Sequence, residues 1–242
     1  MIRRLHVPLT TAEDVIPHLA KQEAHWRAGY SAQELAVSWA GAENDFPTTV
    51  RAVLETAPEY AGAELIDGFF EREVELGTKG RNSQTDLMVV AGLGDELGII
   101  AVEGKVDESF ASIVSEWNDS PGKQQRLNHL CRTLSLDPSN VGDLRYQLFH
   151  RTASAIREAK RYRCSHAVML VHSFSSTHRW FEDFQAFASA LGQSVAHTDQ
   201  CSEARVFEGV SLRLAWVSDK PHSPNRVSEI EIVTATMRGH NG

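Results

Sequence analysis

Residues 85–105 read Thr85-Asp86-Leu87-Met88-Val89-Val90-Ala91-Gly92-Leu93-Gly94-Asp95-Glu96-Leu97-Gly98-Ile99-Ile100-Ala101-Val102-Glu103-Gly104-Lys105. Two dense apolar runs flank the turn-rich segment 92–96, which predicts a β-hairpin of buried strands. With the turn centred between Gly94 and Asp95, Leu87 faces Val102, Met88 faces Ala101, Val89 faces Ile100, Val90 faces Ile99, and Ala91 faces Gly98. The next pair outward is Asp86 and Glu103. Opposed residues of an antiparallel pair project to one face with Cβ atoms about 4.5–5.5 Å apart, so the two carboxylates become neighbours and Lys105 shares their face. Such a pair is destabilising unless a cation offsets it. Magnesium or manganese, which takes hard oxygen ligands and retains water, suits two carboxylates and a backbone carbonyl.

Outward from the hairpin, Phe70, Arg72, Val74 and Leu76 alternate with Glu71, Glu73 and Glu75, predicting a strand over 69–76, and 77–83 reads as a loop. Upstream, helices are expected from Thr11-Ala12-Glu13-Asp14, from the capping-box pattern Ser31-Ala32-Gln33-Glu34, and after Pro47 to near Pro58. Downstream, 109–117 and 123–134 read as helical, a long helix runs from about Asp143 to Tyr162, and 166–172 is a short buried strand. Trp180, Phe181, Phe184, Phe187 and Leu191 recur at helical spacing, read as a core face rather than a base-stacking platform. Strands are expected at 210–217 and 230–233. The class is α/β, or α+β, with a mixed sheet in one domain: 1–45 a helical extension, 46–218 the core, 219–242 a strand and tail.

Net charge is −8, which weighs against strong nucleic-acid affinity overall, yet residues 143–163 carry six Lys and Arg against Asp143 and Glu158. Cys131, Cys164 and Cys201 contain no C-x-x-C pair, so neither a disulfide framework nor a thiolate zinc site is expected and a reducing cytoplasm is the natural setting. The basic opening, Met1 to Pro8, lacks the apolar region of a secretory signal, and no apolar run reaches membrane-spanning length. His166, His172 and His178 fit no helical metal pair, and Gly92-x-Gly94 belongs to the hairpin turn.

Asp86, sixteen residues of strand-turn-strand, and Glu103-Gly104-Lys105 together resemble the PD-(D/E)xK, restriction-endonuclease-like nuclease superfamily. The resemblance covers roughly half the chain. It implies a core of helix, three antiparallel strands, helix and strand, and a metal-dependent phosphodiesterase acting on DNA or RNA. Asp86, Glu103 and the Gly104 carbonyl would hold Mg²⁺ or Mn²⁺, and Lys105 would orient or deprotonate water or neutralise the transition state. Gln147 matches the glutamine that often supports such sites. Arg151, four residues on and on the same helix face, together with Arg145, is a candidate for substrate phosphate. Thr85 stands where the motif has proline, and a further glutamate would come from Glu64, Glu71 or Glu73. A second acid-x-lysine triplet, Glu158-Ala159-Lys160, falls inside a predicted helix and lacks that context. The alternatives are a catalytically silent binding module, a hydrolase of a small phosphorylated metabolite, and an oligomeric structural protein, a homodimer among the options, using the aromatic helix as an interface.

Overall fold

The structure, a computed structural model, describes residues 11–19, 26–27, 29–42 and 45–222. Strands β2 (Ser83–Leu93) and β3 (Glu96–Lys105) form the expected hairpin, paired from Leu87↔Val102 to Leu93↔Glu96. Gly94 takes φ 67° in the two-residue turn, a left-handed conformation that glycine adopts without the Cβ penalty. Regular pairing ends at Leu87↔Val102, one step short of Asp86 and Glu103. There the Asp86 side chain replaces the ladder: its Oδ2 accepts the Gly104 N–H at 2.9 Å.

Strand β1 (Glu64–Val74) pairs antiparallel with β2 and differs from the expected span, starting earlier and ending sooner. A register shift between Leu65 and Asp67 breaks the alternation at its start, so the N-terminal half carries no period-two signal. On the other side, β3 pairs parallel with β4 (His166–Ser173), and β4 parallel with β7 (Val210–Ser218). The short strands β5 (Gln200–Cys201) and β6 (Arg205–Phe207) add antiparallel to β7. These two carry too few residues for a pattern to register. The result is a seven-stranded mixed sheet of order β1-β2-β3-β4-β7-β5, with β6 on β7.

Helices flank the sheet, which explains why its central strands are apolar on both faces. Helices α1 (Ser31–Gly41) and α2 (Thr48–Leu54) and a 3₁₀ segment (Ala12–His18) pack on the side of Leu87, Val89, Ile100 and Val102. The one-turn α3 (Val114–Trp117), then α4 (Pro121–Thr133), α5 (Tyr146–Tyr162) and α6 (Phe181–Ala190), cover the side of Met88, Val90, Ile99 and Ala101. Phe184 and Phe187 are fully buried there, as core residues. All three cysteines are free and buried.

Several local expectations yield to tertiary partners. Ser31 opens α1 but does not cap it, because its N–H donates to Glu108 Oε1 at 3.0 Å and Glu34 is buried, accepting the His222 N–H. The helix expected over 109–117 shrinks to α3, since Val114 N–H and Ser115 N–H bond to Leu144 and Gly142 carbonyls. Ile113 bridges Arg145, so α5 starts at Tyr146 rather than Asp143. The expected N-terminal helices are a short 3₁₀ segment and the single helix α1. The strand expected at 230–233 lies outside the described residues, as does the opening segment 1–8.

Candidate functional site

Strand alternation puts Glu103 and Lys105 of β3 on the same sheet face as Met88 and Ala101, the face covered by α5. Residues four apart on a helix share a face, so Gln147 and Arg151 of α5 descend together onto that row. Lys105 Nζ and Gln147 Nε2 each donate to Glu103 Oε1 at 2.6 Å, while Arg151 Nε donates to Glu103 Oε2. Arg151 Nη2 reaches Asp86 Oδ1 at 3.3 Å, so one guanidinium bridges both carboxylates. Glu103, Lys105 and Arg151 are 2%, 4% and 8% exposed, which makes this a buried ionic cluster rather than a surface salt bridge. Arg151, a candidate for substrate phosphate by its sequence, is engaged by the two carboxylates instead.

A third acid joins from β1. Glu71 falls between the ladder pairs Phe70↔Leu87 and Arg72↔Thr85, opposite Asp86, with φ 53°. That left-handed backbone costs about 1–2 kcal/mol for a non-glycine residue and is held by the surrounding sheet. Gln84 Nε2 donates to its carboxylate at 2.6 Å. Of the three glutamates singled out in the sequence, Glu71 is the one at the cluster. Glu64 pairs with Gly92 at the far end of β1, and Glu73 accepts from Asn82 at the surface.

The sequence did not point to Ser83 and His150. Ser83 Oγ lies 2.8 Å from His150 Nδ1 and accepts from Arg151 Nη1 at 3.3 Å. The one hint in the chain is that His150 precedes Arg151 on the same helix. Arg145 stands apart from the cluster: its Nε donates to Asp183 at 2.9 Å and its guanidinium packs on Trp180. Trp39 Nε1 donates to buried His172 Nδ1, so His172 Nε2 carries its proton towards Asp219 at 3.3 Å, and His166 contacts Glu96.

Gly104 is where the site meets the opposite layer. A Cβ there would stand 3.3 Å from the Ser31 carbonyl and 3.4 Å from Leu35, closer than ordinary contact, so α1 packs tightly over the bare Cα. A strand residue turns its N–H and C=O to the same neighbour, so the Gly104 carbonyl follows its N–H towards β2, beyond the last ladder pair.

The charge balance is unequal. Burial opposes ionisation of Glu103, but Arg151 and Lys105 outweigh it and hold the carboxyl down to about 2. Asp86, with burial and the Glu103 charge against it, is pushed up to about 6. Burial and Asp86 push Glu71 up to about 8. His150 is held well below the usual imidazole range by burial and then by Arg151. Raised carboxyls favour the fold while protonated, so the Asp86 and Glu71 contributions are complete below their unfolded values and are lost as pH rises through about 6 and about 8. Depressed His150 adds stability as pH rises towards the free imidazole value, so we expect the net decline in urea unfolding free energy above it, by about 1–2 kcal/mol between pH 6.5 and 8, and Glu71→Gln to flatten that decline. An unchanged slope in that variant would contradict the assignment.

A family model described as Domain of unknown function (DUF6946) matches residues 8–221. The chain belongs to that family. The matched span takes in every residue of the cluster on β1, β2, β3 and α5. No curated protein and no solved structure matches the chain. Among the described residues no helix is long and apolar enough to cross a membrane.

Among the described residues no three His, Cys, Asp or Glu side chains converge as a ready metal centre. Asp86 and Glu103 nevertheless share one cation, the Arg151 guanidinium. The donor set of two carboxylates beside the Gly104 carbonyl is hard oxygen throughout, and burial and the Glu103 charge still oppose ionisation of Asp86. These residues fit a divalent cation in kind.

Proposed function

We propose that this protein is a metal-dependent phosphodiesterase of the PD-(D/E)xK, restriction-endonuclease-like type, acting on DNA or RNA. The observation that carries the reading is the convergence of Asp86, Glu103, Lys105 and Gln147 on one buried point of the sheet. The order α2, three antiparallel strands, α5 and a parallel β4 supports it.

Asp86, Glu103 and the Gly104 carbonyl would hold Mg²⁺ or Mn²⁺. When bound, such an ion lowers the pKa of water and offsets phosphate charge. The chain's own groups do the rest. Glu103 fixes Lys105 Nζ by a 2.6 Å hydrogen bond, so the ammonium is positioned beside the acids to orient water or neutralise charge developing on the phosphoryl oxygens. Gln147, on the same Glu103 oxygen, holds that carboxylate's rotamer. Arg151 supplies the positive charge that lets both acids stay ionised, and its contact with Asp86 at 3.3 Å is long enough to be the first to open.

The test is cleavage of mixed single- and double-stranded DNA and RNA with Mn²⁺, alongside calorimetry with Mn²⁺ alone. Wild-type protein should bind Mn²⁺ and cleave, while Asp86→Asn should lose both. Cleavage at equal rates in the two proteins would refute the mechanism.

One observation favours a second reading: Arg151 already balances Asp86 and Glu103. A catalytically silent module with the same fold would use that guanidinium as its permanent cation, and calorimetry would then show no Mn²⁺ binding.

A further inference from the structure

Beside the acid cluster runs a groove of about 790 Å³, bounded on one side by the loop 77–82 between β1 and β2 and on the other by α4. Five cationic side chains line it, Lys79 and Arg81 from the loop and Lys123, Arg126 and Arg132 from α4, and no aspartate or glutamate does. In a chain of net charge −8, that is a local reversal of sign. Lys123 pairs with Asp119, but Lys79, Arg81, Arg126 and Arg132 form no ion pair among the described residues. Lys79, Arg81 and Arg132 are exposed. Four cations crowded without counter-charges repel one another, and an anion relieves that cost.

The groove has an aromatic wall. Trp117 lies flat on Tyr146, ring centroids 3.5 Å apart and planes 11° apart, and the Tyr146 hydroxyl is fixed by Arg126 Nε at 2.7 Å. Lys123 Nζ sits 5.5 Å from the Trp117 ring centroid, adding a cation to the same wall. His150 lines the groove as well and connects it to the acids: His150 Nδ1 contacts Ser83 Oγ at 2.8 Å, and Ser83 accepts from the Arg151 that bridges Asp86 and Glu103.

We propose that this groove binds a single strand of nucleic acid, its phosphates on Lys79, Arg81, Arg126 and Arg132 and a base against Trp117, leading the strand to the acid cluster. The assignment rests on the nuclease reading for its purpose, and on the groove's own charge and aromatics for its ligand. Several separated cations call for several phosphates, which distinguishes a polymer from a single phosphate ion. Stacking on Trp117, one face of which Tyr146 covers and beside which Lys123 lies, calls for an unpaired base, because the bases of a duplex are stacked on each other and their faces are covered.

The experiment is fluorescence anisotropy in EDTA with a labelled 12-nucleotide oligo-dT and a blunt 12-base-pair duplex as probes, for wild type, Lys79→Ala/Arg81→Ala and Arg132→Glu. The substituted residues are exposed, so melting temperatures should match wild type. Wild type should prefer the single strand. The double variant should bind at least tenfold more weakly at 50 mM salt, with its log K against log salt slope reduced by about 1.4, at about 0.7 per lost phosphate contact. Arg132→Glu should weaken binding further. Affinities within twofold of wild type in both variants, no binding by wild type, equal or tighter binding of the duplex, or displacement by an equal concentration of pyrophosphate would each overturn the proposal.

Cleavage with Mn²⁺ is then measured on the same preparations. If Asp86→Asn cleaves like wild type while the double variant loses oligo-dT, the nuclease reading fails and the groove stands. If cleavage needs Asp86 while the double variant binds and cleaves normally, the groove assignment fails and the nuclease reading stands.

Discussion

Replacing Arg151 by methionine is expected to lower unfolding free energy at pH 7 by about 3–5 kcal/mol, the range for removing one partner of a buried ionic cluster. Methionine keeps most of the apolar stem and packing, so the loss isolates the guanidinium. Without it Glu103 keeps direct bonds from Lys105 and Gln147, but Asp86 keeps only the more distant Lys105 charge and the Gly104 N–H to hold it ionised. The cost should therefore centre on Asp86. In a double-mutant cycle, adding Asp86→Asn should recover about 1–2 kcal/mol of the loss, a coupling read from urea melts of the four proteins. Strict additivity, or a single-mutant loss below about 1 kcal/mol, would mean that the bridge contributes no more than a surface ion pair.

Lys105→Met should act on chemistry rather than on the fold. The ammonium is 4% exposed, bonded to Glu103 and 5.1 Å from the Phe110 ring centroid, but Glu103 retains the Arg151 and Gln147 bonds when it is removed. A stability loss of about 1–3 kcal/mol is expected, consistent with one charge-assisted hydrogen bond. Mn²⁺-dependent cleavage should fall by about 10²–10⁴-fold, the contribution typical of a positioned proton-transfer or charge-stabilising group. Mn²⁺ affinity measured by calorimetry should fall much less, since Lys105 contributes no metal ligand. Cleavage unchanged in Lys105→Met would remove this residue from the mechanism even if the metal binds.

Much of the central hairpin was legible because its signal is local. Across a two-residue turn, residues 87–91 have a single register in which no apolar position meets a polar one, and the observed ladder from Leu87↔Val102 to Ala91↔Gly98 keeps it. That same register put Asp86 and Glu103 at the open end. The pairing of Gln147 with Arg151 was legible for a similar reason, since a spacing of four on a helix fixes a shared face. The direction of that face was not. The sequence offers Arg151 as a candidate for substrate phosphate, and only the packing of α5 across the acid row makes it the bridge between two carboxylates. Arg145, in the same stretch, was diverted to Asp183 and Trp180.

By itself, then, the sequence determined the hairpin, its register, the apolar stripes of the central strands and the α6 face, and the row shared by Glu103 and Lys105. Each follows from a periodicity of two or of about four and needs no knowledge of distant neighbours. Tertiary structure alone decided which glutamate joins Asp86, that Ser31 would bond Glu108 instead of capping its helix, and that a loop and a helix nearly forty residues apart would gather five cations into one groove. Those outcomes depend on contacts between segments far apart in the chain. A charged side chain's partner is chosen by which surfaces fold together, and no local pattern encodes that choice.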